Sequence, residues 1–372
     1  MKDPEDPWTF DDGYLEDLSS RNQERFEEDF DDNLNEFNED TVERRLQTRF
    51  NQAEEHLKLV KAAAACFHPR EGAGRSESGF RYVGVDPLQA VDENPADVLL
   101  VKPEYNGAYF CVVCCEIGGE SRKDWIDNVN EARRVFESRK NRAVLTEQLG
   151  IENDDLSFQY VTLTRTDDTV EMDFSVLDRN CDADTYAVWS ADVEDKWMMY
   201  EDGSFVHADL RSAFSDQLDY MRREDPLKYT VGTHPIFPLQ QIVYQVVKEK
   251  FEFDDEQKSE FAHDTFYEFF DQGLQIQCSG ERRECVVSSE VDRLLDMALK
   301  TGVFSDEDDD LRSDNRDYRI MYSGTRGPDH AENSVKPKYF DNVGKVQVGQ
   351  LAYNKTREEF DPETDLGNYG AL

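Results

Sequence analysis

Residues 94–142 read NPADVLLVKPEYNGAYFCVVCCEIGGESRKDWIDNVNEARRVFESRKNR. Two apolar, β-branched runs, residues 97–102 and 109–117, flank Asn106-Gly107. Asn-Gly between such runs predicts a β-hairpin, because both residues tolerate positive φ. An acid, Asp97, opens the first run, and Glu116 closes the second just before Gly118-Gly119. The start of one hairpin strand lies beside the end of its partner. Asp97 and Glu116 should therefore meet at one end of the sheet. Two carboxylates at a sheet end can hold a hard divalent cation such as Mg2+ or Mn2+. The competing reading is two ordinary surface acids in a chain that has 82 of them.

The flanking chain extends the pattern. Val42, Leu46, Phe50, Ala53, Leu57, Val60 and Ala64 recur at helical spacing and predict a helix from Thr41 to before His68-Pro69. Residues 80–85 read as a first strand ending at Asp86-Pro87. Trp125, Val129, Ala132 and Phe136 mark one face of a helix over 123–139. Residues 156–163 and 185–190 read as further strands, 197–200 and 205–207 as an extra hairpin, and 208–223 as a helix. The order is helix, three strands, helix, two strands.

This order and the residues Pro95-Ala96-Asp97 and Glu116-Ile117-Gly118 resemble the PD-(D/E)xK, restriction-endonuclease-like nucleases over about residues 41–192. The resemblance implies an α/β fold, a mixed sheet flanked by helices. It also implies metal-dependent hydrolysis of phosphodiesters in DNA or RNA, with Asp97 and Glu116 as catalytic metal ligands. Asp86 and Glu55 would assist them. The family's water-activating lysine is replaced by Gly118, and Lys123 in the next helix is the candidate substitute. Without that lysine, the same fold implies an inactive module that binds nucleic acid or protein.

Between Ser121 and Arg142, seven basic residues face four acids, a local charge of +3 in a chain of −40. Arg122, Arg133 and Arg134 are the candidate phosphate contacts, with DNA favoured over RNA as partner.

Composition sets outer bounds. Hydrophobic residues make up 38% of the 372, enough for packed cores. Acids outnumber bases 82 to 42, and lysines are only 16. This balance is similar to that of proteins from salt-in halophiles, haloarchaea among them, where carboxylates keep the surface hydrated at molar salt. A halophile interaction protein with no nucleic-acid partner is a third reading. No apolar run approaches the roughly 20 residues that span a bilayer, so no membrane partner and a cytoplasmic location are expected. Cys111, Cys114 and Cys115 read as buried small apolar residues rather than a zinc pair, because strand alternation sends Cys114 and Cys115 to opposite faces. No phosphate-binding glycine loop or hydrolase motif is present.

Four regions follow. Residues 1–40 form an acidic, partly disordered arm, 41–225 the nuclease-like domain, 226–324 a smaller helical, winged-helix-like domain, and 325–372 a loosely ordered tail. In the third region, 239–251, 255–272 and 288–301 read as helices and 318–322 as a strand. Its third helix carries Glu290, Asp292 and Asp296 beside Arg293 and Lys300, which suits a protein partner as well as DNA. One short strand pair is expected within 345–353.

Overall fold

The computed structural model describes residues 14, 18–36, 39–68, 78–85, 96–118, 122–151, 155–169, 181, 183, 185–215, 217–220, 228–231, 233–252, 259–275, 280–306, 317–322 and 327–360. The chain is mixed α/β and divides into two compact units. The first holds Asn51–Pro238 with Tyr267–Val291, and the second holds Met1–Phe50, Leu239–Phe266 and Asp292–Leu372.

The first unit is built on a seven-stranded sheet whose spatial order is its chain order. The strands are β1 (Arg81–Val85), β2 (Val98–Glu104), β3 (Gly107–Cys115), β4 (Asp155–Arg165), β5 (Tyr186–Asp192), β6 (Trp197–Gly203) and β7 (Leu218–Asp219). Neighbours pair antiparallel except β3/β4 and β4/β5, which are parallel. A parallel pair needs a crossover, and helices α3 (Arg122–Phe136) and α4 (Arg139–Leu149) supply the one from β3 to β4.

Both faces of the sheet are covered. Helix α2 (Glu39–Phe67) packs its C-terminal half, from Leu57 to Phe67, against Val98, Leu100, Cys111, Val113, Val161 and Trp189. Helix α3 packs Ile126, Val129, Ala132 and Phe136 against Leu99, Val101, Val112 and Tyr160 on the other face. Burial on both sides explains why β3 is apolar almost throughout. Each fully buried large side chain here contributes about 1.5–3 kcal/mol.

The hairpin is where the sequence places it, but its turn is not. Glu104 pairs with Gly107, so Tyr105 and Asn106 form the turn, and neither has positive φ. Gly107 serves packing instead: a Cβ there would lie 1.9 Å from the Asp155 carbonyl oxygen on β4. The helix expected over 123–139 is α3, which ends at Phe136, and a further helix that was not expected, α4, begins at Arg139. Ser138 accepts a hydrogen bond from the Asn141 N–H as N-cap of α4, and Gly150, at φ 63°, ends it. The expected hairpin around Asp202-Gly203 is corrected: β6 pairs back to β5, through a turn containing Lys196 at φ 56°. The expected helix over 208–223 stops at Ala213; this element is α6 (Ala208–Ala213), after the short α5 (Thr166–Thr169).

The cysteine reading holds for the strand. Cys111, Cys114 and Cys115 are buried free thiols, and burial pushes all three well above the ordinary thiol range. Only the thiolate reacts, so these three should resist iodoacetamide in the native protein at pH about 8, near the free-thiol pKa. Exposed Cys285 should react under the same conditions. Mapping by mass spectrometry checks this, and labelling of Cys114 at the rate of Cys285 would contradict it.

In the second unit, α7 (Ile236–Glu252) enters from Leu239, and the C-terminal part of α9 (Gly280–Lys300) from Asp292. A three-stranded antiparallel sheet joins β8 (Glu260–Ala262), β10 (Asp317–Ile320) and β9 (Phe304–Asp306), in that spatial order. Helix α8 (His263–Gly273) precedes α9. Helix α1 (Ser20–Glu36) packs on α10 (Pro328–Glu359), with Phe26 meeting Tyr353 and Phe360 edge to face. A buried hydrogen bond from Asn33 to the Thr356 hydroxyl ties the same pair. The strand pair expected within 345–353 is therefore replaced by helix. Ala331, Val335, Tyr339 and Val343 recur every fourth residue and bury one stripe, which carries α10 through Pro337 and Gly344.

Among the described residues, no helix is long and apolar enough to cross a membrane.

Candidate functional site at one end of the sheet

The β2–β3 ladder brings Asp97 and Glu116 to the same end of the sheet. Asp97 N–H donates to the Val113 carbonyl (3.0 Å), and Glu116 N–H donates to the Leu163 carbonyl of β4 (2.8 Å). Their side chains are then taken up by different helices. The Asp97 carboxylate accepts from the Cys115 backbone N–H (2.7 Å) and lies 3.0 Å from His56 Nε2 on α2. Glu116 is buried, and its Oε1 accepts from the Asn128 amide on α3 (2.9 Å). Since α2 and α3 cover opposite faces, the two carboxylates are held from opposite sides of the sheet.

The remaining candidates are placed as follows. Glu55 on α2 is ion-paired through both oxygens, to Arg165 at 2.6 Å and to Lys58 at 2.8 Å. Asp86 lies outside the described residues. Lys123 is exposed on the first turn of α3. Arg122 begins that helix, and its side chain lies outside the described set. Arg133 sits 3.5 Å from Glu137, and Arg134 3.1 Å from Glu131, each within the same helix. These two arginines line a shallow depression together with Asp127, Glu131, Glu137 and Ser138.

Gly118, in the place of the family lysine, faces an acid. A Cβ on Gly118 would lie 2.5 Å from Oδ1 of Asp168, whose other oxygen accepts from the Thr164 hydroxyl at 3.3 Å. Asp168 belongs to a polar row that the sequence reading missed. Thr164 pairs with Ser190 across β4 and β5, and both are fully buried at the C-terminal ends of these parallel strands. Ser190 donates to Glu201 on β6 (2.5 Å), and Thr169 reaches the same oxygen at 3.4 Å. Strand ends of this kind are where open α/β sheets gather ligand-binding groups. Strand alternation alone would have placed Thr164 and Ser190 on one face. His56, Asn128 and Arg165 carry no local signal, because their partners are 41, 12 and 110 positions away.

Mg2+ takes oxygen ligands at 2.0–2.1 Å in near-octahedral geometry. Asp97 already serves an amide and an imidazole, Glu116 serves Asn128, and Glu55 serves two cations. Among the described residues, no group of three or more His, Cys, Asp or Glu side chains could hold a metal ion. Asp97, Glu116 and Glu55 are thus each engaged by protein groups, and Asp86, the fourth candidate ligand, lies outside the described residues. Comparison of the chain with protein-family models, curated proteins and solved structures finds no match.

Proposed function

We propose that residues 41–192 form a divergent restriction-endonuclease-like domain that binds nucleic acid through its backbone and does not cleave it. The fold part of this reading is supported by the sheet: helix α2, then β1, β2 and β3 antiparallel, a helical crossover, and β4 parallel to β3. The observation that carries the loss of catalysis is Gly118 against Asp168. Where the family places a cation to activate water, this chain places a carboxylate, which repels both hydroxide and phosphate. The binding part rests on the basic segment 122–142, the one stretch of net positive charge that the sequence reading found.

The second part of the reading concerns α7, β8, α8, α9, β9 and β10. Their order, with a β8-β10-β9 sheet, supports a winged-helix-like region. Asp292 and Asp296 on α9 outnumber Arg293, and Lys300 is paired with Asp296 at 3.0 Å. That surface suits a protein partner better than phosphate.

The test measures binding and cleavage on the full chain. Fluorescence anisotropy with labelled DNA and RNA should show affinity that falls as KCl rises. The double variant Arg133→Ala/Arg134→Ala should lower the slope of log K against log salt by about 1.8 on duplex DNA, about 0.9 per lost phosphate contact. Neither Mg2+ nor Mn2+ should produce cleavage, and Gly118→Lys should not restore it, because Asp97 and Glu116 remain held by different helices. Cleavage that disappears in Glu116→Gln would establish a metal-dependent nuclease instead. A wild-type chain that binds neither DNA nor RNA would remove the nucleic-acid reading.

A further inference from the structure

The reading above leaves open which form of nucleic acid is taken, and the hairpin tip addresses that. Tyr105 stands at the β2–β3 turn with 95% of its surface exposed. Among the described residues it is the one aromatic side chain in the exposed class; every other one is at least partly covered. Its position is fixed by its neighbours. Pro103 and Gly107 flank the turn, the register closes at Glu104–Gly107, and Gly107 abuts the Asp155 backbone. The ring is thus carried on a stiff mount with no cover from the described residues.

Beside it opens a cleft of about 280 Å³. Val101 forms part of the wall, with Pro103, Leu149 and Ile151 around it, and Arg81 and Glu104 supply the polar groups. Leu149 and Ile151 come from the end of α4, the helix that continues the basic segment. Arg139 and Lys140 are exposed on its first turn. Arg142 donates to the Leu156 carbonyl (3.4 Å) and sits over the Phe158 ring. The basic run therefore leads along α3 and α4 toward the cleft and its exposed ring.

We propose that Tyr105 is a stacking platform for an unpaired base, so that the nucleic acid bound along α3 and α4 is single-stranded. This inference rests on the phosphate-binding reading above and specifies its substrate class. A paired base has both faces buried in its own stack and cannot offer one to a protruding ring. A splayed base in a single strand can, and the mixed cleft next to the ring has room for it, with Val101, Pro103, Leu149 and Ile151 as apolar contacts and Arg81 and Glu104 as hydrogen-bonding groups. Stacking is tolerant of sequence, because every base presents a π-face. Charge complementarity favours a polyanion over a peptide, since the segment leading to the cleft is positive in a chain of −40.

The test compares the wild type with Tyr105→Ala, Tyr105→Phe and Arg133→Ala/Arg134→Ala. Anisotropy is measured with a labelled oligothymidylate single strand and a labelled duplex of the same length, at several KCl concentrations. Since Tyr105 is almost wholly exposed, its replacement leaves the fold intact. The expected results are threefold. The wild type binds the single strand more tightly than the duplex. Tyr105→Ala weakens single-strand binding by about tenfold, a typical loss for one stacked base, while Tyr105→Phe keeps it. Tyr105→Ala leaves the salt slope unchanged, whereas the double arginine variant lowers it by about 1.4 on the single strand, about 0.7 per contact.

Equal wild-type affinity for both probes, with no effect of Tyr105→Ala, would overturn the stacking proposal and leave the phosphate reading standing. No binding of either probe would overturn both. Sedimentation velocity is run on the same proteins. A wild-type dimer that Tyr105→Ala converts to monomer would show that a second copy of this chain occupies the cleft, and would also overturn the proposal.

Discussion

Gly107→Ala should destabilise the sheet unit by about 3 kcal/mol, at the upper end of the cost of over-packing. The added Cβ would lie 1.9 Å from the Asp155 carbonyl oxygen and 2.8 Å from its carbonyl carbon. Both are backbone atoms, and Asp155 is paired with Gly107 in the β3–β4 ladder, so no side-chain rotation relieves the clash. The strands must part at their first pair. That disturbs the junction at which the hairpin meets the parallel strands. A midpoint fall on the order of 10 °C follows, at about 2–4 °C per kcal/mol for a domain of this size. Gly150→Ala is the matched control. Gly150 has φ 63° but nothing within 4 Å of a Cβ, so that variant bears only the left-handed backbone cost of about 1 kcal/mol. Thermal melts followed by circular dichroism compare the two. Equal losses would mean that the approach of β4 is not what excludes a side chain at Gly107.

Gly107 also shows where sequence reading reaches and where it stops. The Asn106-Gly107 pair located the hairpin correctly, since two apolar runs with a turn signal between them admit few alternatives. The reason attached to the glycine was local, positive φ. The operative reason is a strand 48 positions later in the chain. Helix α2 was legible nearly to its ends because seven apolar residues kept one phase over its length. Helix α4 was not foreseen, although Ser138 and Gly150 carry its caps, because only Asn141 and Leu145 of its side chains are buried and they make no apolar stripe. Helix α10 was not foreseen, since residues 325–372 read as a loosely ordered tail, and Pro337 and Gly344 both lie inside the helix. Its stripe of Ala331, Val335, Tyr339 and Val343 offsets both through burial.

The candidate site divides in the same way. That Asp97 and Glu116 share a sheet end follows from antiparallel pairing alone. Which helix takes each carboxylate does not, since it depends on where α2 and α3 settle across the sheet. His56 and Asn128 decide this, and each is an unremarkable residue at the margin of an apolar face. Gly118 was legible as a missing lysine, but the acid that faces it was not, because Asp168 reaches the spot from beyond β4.

Salt should have the largest effect on this protein. With 82 acids against 42 bases, the folded chain concentrates a charge of −40 that the unfolded chain spreads out. The Debye length falls from about 10 Å at 0.1 M to about 3 Å at 1 M, so repulsion acts between neighbouring side chains at low salt and is largely silenced at high salt. The melting midpoint should therefore rise steeply with KCl up to about 1 M and flatten beyond it, once the screening length is shorter than the spacing between surface carboxylates. Sucrose, which favours burial without screening charge, should recover little of the loss. Within the second unit, the α1–α10 pair should yield early. Helix α1 carries seven acids against two arginines. It is held by the aromatic cluster of Phe26, Tyr353 and Phe360 and by the Asn33–Thr356 hydrogen bond. Strands β3 and β4 are almost uncharged and buried on both faces. Hydrogen exchange at falling KCl should thus expose the α1 amides while those of β3 and β4 remain protected. A midpoint that is flat in KCl, or that sucrose restores as fully as salt, would mean that the acidic surface is neutral to stability; simultaneous loss of protection in α1 and β3 would mean that charge acts on the chain as a whole and not through this helix pair.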